Sequence, residues 1–65
     1  MKKAQKFQEA LEKSALIRLT HFAGAASEIC EADAVNLDKN RVHICSIAGE
    51  TVDQWEDAGD FDLAS

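Results

Sequence analysis

His21, Cys30, His43 and Cys45 are the scarcest chemistry-bearing side chains in this 65-residue chain. Their types suit zinc, but structural zinc sites use a close Cys-x₂₋₄-Cys pair. Here the cysteines stand fifteen positions apart and only His43-x-Cys45 is close. Cys45 as a nucleophile with His43 as its base would need a third group to orient the imidazole and donors for an oxyanion, and neither is evident. Both cysteines have apolar neighbours and read as small core residues. No metal site and no catalytic pair is expected.

Carboxylates are abundant: twelve Asp and Glu against seven Lys and Arg, for a formal net charge of −5. A catalytic acid and base need unlike environments, one desolvated and one solvated. A chain this short buries only about 60% of its unfolded surface, too little to wall a cleft. The spacing Asp57-x₂-Asp60-x-Asp62 misses the calcium-loop pattern, and no glycine-rich phosphate loop exists. Neither enzymatic activity nor a cofactor is expected. The distribution of charge is more informative. No Lys or Arg follows Arg41, whereas Glu50, Asp53, Glu56, Asp57, Asp60 and Asp62 crowd the last sixteen residues.

The elements that would position these groups begin with a helix. Nothing breaks one from residue 2 to about 31, and Phe7, Leu11, Ala15, Leu19, Phe22, Ala26 and Ile29 recur at spacings of three and four. Leu16 and Ile17 point away from that stripe, and Ala23-Gly24-Ala25-Ala26-Ser27 offers a smooth surface for a close backbone approach. Leu16, Ile17, Ala23, Gly24 and Ser27 are therefore the expected interface of a homodimer, which would supplement a small core. A kink at Gly24 folding the helix into a hairpin is the alternative.

Val35-Asn36-Leu37 and Val42-His43-Ile44 alternate apolar and polar residues, which predicts a hairpin over about 34–47 turning at Lys39-Asn40. In that register Leu37 faces Val42, Val35 faces Ile44, and Asn36 and His43 lie on the other side. Thr51, with Gln54 three positions on, reads as the capping box of a short helix over about 52–58, with Trp55 as a core anchor and Gly59 as its stop. Residues 60–65 form an acidic tail. The expected fold is a single α+β domain: a long N-terminal α-helix packed on a β-hairpin, then a short C-terminal helix, assembled as a homodimer. Met1-Lys2-Lys3 leads into no apolar run of signal-peptide or membrane-spanning length, so a cytoplasmic location is expected.

The run Thr51-Val52-Asp53-Gln54-Trp55-Glu56-Asp57-Ala58-Gly59, preceded by Cys45-Ser46-Ile47, resembles the recognition helix of helix-turn-helix regulators. That resemblance implies a first helix from Arg41 and a transcription-associated role for residues 41–59. Glu50, Asp53, Glu56 and Asp57 would then face phosphates with no nearby Lys or Arg, which disfavours direct nucleic-acid binding.

The leading expectation is a small acidic protein–protein interaction module with no enzymatic activity. Glu50, Asp53, Trp55, Glu56, Asp57, Asp60, Phe61, Asp62 and Leu63 would bind a basic protein surface, such as that of a nucleic-acid-binding protein. In size and charge the chain is similar to small inhibitors of phage and mobile elements, including anti-CRISPR and anti-restriction proteins, which implies inhibition by nucleic-acid mimicry.

Overall fold

Period-two alternation, not a helical stripe, organises most of the chain. A computed structural model describes residues 2–21 and 28–64, in which five antiparallel strands form one sheet in the order β4-β3-β2-β1-β5. The strands are β1 (Ile17–His21), β2 (Glu28–Asn36), β3 (Arg41–Ile47), β4 (Glu50–Asp57) and β5 (Phe61–Leu63). One helix, α1 (Lys3–Leu11), packs chiefly over β2, and a 3₁₀ turn (Ala58–Asp60) links β4 to β5.

The long helix expected over 2–31 is thus corrected to a nine-residue helix followed by strands. After Leu11 the amides of Lys13 and Ser14 donate to the carbonyls of Ala10 and Leu11, the tightened bonding of a helix that is ending. Ile17 and Leu19 then enter the core while Arg18 stays exposed, the alternation of a half-buried strand. Ile17 did not fit the helical stripe, and a strand accounts for it, while Leu16 precedes β1 and is half-exposed. Residues 22–27 lie outside the described residues.

The core explains the pairing. Ala4 and Phe7 of α1, Ile17, Leu19, Cys30, Ala32, Val42 and Ile44 of the sheet, and Ala58 and Phe61 form one buried cluster. Alanines at 4, 32 and 58 leave room for the Phe7 and Phe61 rings, both almost fully buried. The opposite sheet face carries no second layer among the described residues.

Two turns set the registers. The β2–β3 hairpin closes through residues 37–40 with Asn36 opposite Arg41 and Val35 opposite Val42, two positions away from the expected register. A two-residue shift preserves the faces, so Val42 and Ile44 still point inward and His43 outward. Asn40 takes φ 54°, tolerable for Asn, and joins three elements. Its Oδ1 accepts the Ala4 N–H at 3.1 Å, capping α1 from another part of the chain, and its carbonyl accepts the Ala58 N–H at 2.9 Å.

The helix expected over 52–58, and with it the recognition helix implied for 51–59, is replaced by β4. Ala48-Gly49 at φ 52° and 87° makes a two-residue turn of the primed kind that joins β3 to β4. Thr51, Val52 and Trp55 suit a strand as well as a helix, and pairing with β3 decides between them. Trp55 is 46% exposed and does not anchor the core.

Candidate functional site

The open sheet face is assembled by register. Arg18 lies opposite Glu31, Ala34 opposite His43, and His43 opposite Trp55, so these side chains share the face turned away from α1. Alternation along β4 puts Asp53 on the same face as Trp55, two positions away, and so diagonal to His43. Asp33 reaches the ring through an irregularity. Pairing passes from Ala32↔Ile44 to Ala34↔His43, which makes Asp33 an extra residue on β2. On the other side it passes from Ile44↔Gln54 to Ser46↔Thr51, so Val52 and Asp53 together oppose Cys45. Such bulges re-aim side chains.

The result is a three-strand cluster. Asp33 Oδ1 stands 2.7 Å from His43 Nδ1, and Asp53 Oδ1 stands 2.5 Å from His43 Nε2. Ionised carboxylates only accept, so both contacts are satisfied together when both ring nitrogens donate, as in the imidazolium. The hydrogen bond to Asp33, then that to Asp53, raises the His43 pKa above its ordinary 6.5, against a smaller opposing effect of burial. The His43 side chain is 18% exposed, Asp33 44% and Asp53 90%. Trp55 tilts against the imidazole at 5.1 Å between ring centres.

This arrangement removes the chemistry a Cys–His pair would need. While protonated, His43 has no free lone pair to act as a base for Cys45. The Cys45 thiol donates to the Glu31 carbonyl at 3.4 Å, and burial, with Asp33 and Glu31 nearby, pushes its pKa up, away from the reactive thiolate. Among the described residues no group of three or more His, Cys, Asp and Glu is placed to hold a metal ion. Asp33 and Asp53 approach opposite ring nitrogens and share no common point.

The acidic residues of the C-terminal third divide between opposite edges of the sheet. Glu50, Asp53, Glu56 and Asp57 lie on β4, the strand that carries Trp55. Asp60 sits in the 3₁₀ turn, and Asp62 and Leu63 lie on β5 at the far edge, where Asp62 pairs with Lys3 at 3.2 Å. Phe61 is buried in the core and presents no surface. Asp57 is partly structural, because its carboxylate accepts the Gly59 N–H at 2.8 Å. Of the residues assigned to a dimer interface, Leu16 is 46% exposed, Ile17 is buried beneath α1, and Ala23, Gly24 and Ser27 lie outside the described residues.

Asp33 was not among the expected site residues, and His43 was considered only as a zinc ligand or as a base for Cys45. The one available signal was spacing, since His43 lies ten positions from each aspartate. Trp55 also walls two shallow depressions, one with Leu37 and Asp38 and one with Lys39 and Arg41. No described helix is long and apolar enough to cross a membrane. In comparisons with protein-family models, curated proteins and solved structures, nothing matches this chain.

Proposed function

We propose that this protein is a non-enzymatic binding module that docks a basic protein surface along β4. The observation that carries the reading is the composition of that free edge. Glu50, Asp53, Glu56 and Asp57 lie along the same strand as the half-exposed Trp55, and none pairs with a Lys or Arg among the described residues. A large exposed aromatic side chain is a frequent interface anchor, and carboxylates with no Lys or Arg partner speed encounter with a cationic partner. Because acids lie on both sides of β4, an extended basic segment added to the edge would meet carboxylates on either face. A second copy would instead bring like charges together, which disfavours self-pairing through this edge. A partner that ordinarily binds phosphate fits the same chemistry, as dense carboxylate charge mimics a phosphate backbone.

The test is calorimetric titration with an octalysine peptide at low and high salt. Wild-type protein should bind and weaken with salt. Glu50→Lys combined with Glu56→Lys should abolish binding with the fold intact by circular dichroism. Glu9→Lys combined with Asp60→Lys changes net charge equally elsewhere and should only weaken it. Equal losses from the two pairs would reduce the interaction to net charge and overturn the assignment to β4.

A further inference from the structure

We propose that Asp33, His43 and Asp53 form a pH-operated clasp: the His43 imidazolium occupies two carboxylates of the open sheet face, and loss of its proton frees them for a cationic side chain of a partner. The release half rests on the docking surface proposed above; the clasp itself does not.

The geometry defines both states. In the protonated state two ring N–H groups serve two carboxylates, at 2.7 Å and 2.5 Å, and tie β2, β3 and β4 together across one face. When the proton leaves to water, the ring keeps one N–H and can serve one carboxylate. The other then faces a nitrogen lone pair and is repelled. Asp53 is the one that leaves, being 90% exposed on an edge strand, whereas Asp33 is 44% exposed on a strand paired along both sides for part of its length. The open state adds one negative charge to the face beside Trp55.

The other charged and titratable groups around the ring leave His43 as the switch. From β2, Glu31 is engaged by the Ser46 hydroxyl at 2.9 Å. From β3 itself, Cys45 stays a thiol, and Arg41 lies across from Asp57 on β4. The helix packs on the opposite face of the sheet.

Trp55 is the chain's single tryptophan and touches the ring, so it reports the clasp directly. A protonated imidazole quenches indole emission more than a neutral one. Emission of the full chain, followed from about pH 5.5 to about 9, should rise in one step. The step should be absent in His43→Gln and shifted to lower pH in Asp53→Asn, whose exposed position keeps the variant folded. Flat emission in the wild type, or a step that persists in His43→Gln, overturns the clasp. In parallel, octalysine should bind more tightly as pH rises, with the same midpoint, and this dependence should be lost in His43→Gln. Octalysine affinity that ignores the step overturns release. An intact step with no octalysine binding at any pH overturns the docking surface and leaves the clasp standing.

Discussion

His43 Nε2 meets Asp53 Oδ1 at 2.5 Å although the strand register sets His43 opposite Trp55, two positions further along β4. The contact exists because Asp53 and Trp55 share one face of β4, which places Asp53 diagonal to the imidazole. An irregularity at Asp33 supplies the other carboxylate. The candidate site thus combines a diagonal pair with a bulge, and its consequences can be measured.

Stability should fall as pH rises through neutrality. The folded pKa of His43 is raised, so the folded state holds its proton more tightly than the unfolded chain does. The stabilisation is complete below the ordinary value of 6.5 and is lost as pH climbs through the folded value. The urea midpoint of the wild type should decline over that interval relative to His43→Gln. A constant difference between the two proteins contradicts the assignment. Asp33→Asn should lower the His43 transition more than Asp53→Asn does, as the bond to Asp33 is the larger cause.

Asn40 should be worth more than its exposure suggests. Asn40→Ala removes the cap on Ala4 and places an ordinary side chain at φ 54°, at a combined cost of about 1–3 kcal/mol. Asn40→Gly restores the backbone freedom but not the cap, so it should recover only part of the loss. Denaturation midpoints that rank alanine at or above glycine would exclude this account.

Ala48 sits at φ 52° in a turn position that favours Asn or Gly. Ala48→Asn should stabilise the protein by about 0.5–1 kcal/mol, as it relieves left-handed strain without changing a buried contact. An unchanged or lower melting temperature would mean that the turn is not strained.

Phe7 and Trp55 should respond oppositely to truncation. Phe7 is 1% exposed on the buried face of α1, and Phe7→Ala should cost about 3–5 kcal/mol, most of the stability of so small a domain. Phe7→Leu should stay folded, with a loss below about 1.5 kcal/mol. Trp55→Ala should change stability by less than about 1 kcal/mol while sharply weakening octalysine binding. A large destabilisation by Trp55→Ala would return that residue to the core and remove the aromatic anchor from the docking reading.

Some of this was legible in the residue order. Val42, His43 and Ile44 alternate in a way that needs only near neighbours to interpret, and a two-residue change of register leaves their faces intact. The surplus of carboxylates after Arg41 is likewise a property of composition. Ile17, Leu19 and the turn at Ala48-Gly49 carried strand signals too, but spacings of three and four among alanines and leucines fitted a helix equally well. The capping-box pattern at Thr51 did the same for β4. Local propensities differ by roughly 1 kcal/mol or less per residue, so burial against α1 and pairing with β3 decide such segments.

Order along the chain also placed Glu50 to Leu63 in one acidic region, which the sheet divides between its two opposite edges because β4 and β5 pair with different strands. The Asp33–His43–Asp53 cluster lay furthest from view. The residue types and their spacing were present in the sequence, but a bulge is a property of two paired strands, and only the assembled sheet brings the carboxylates to the ring.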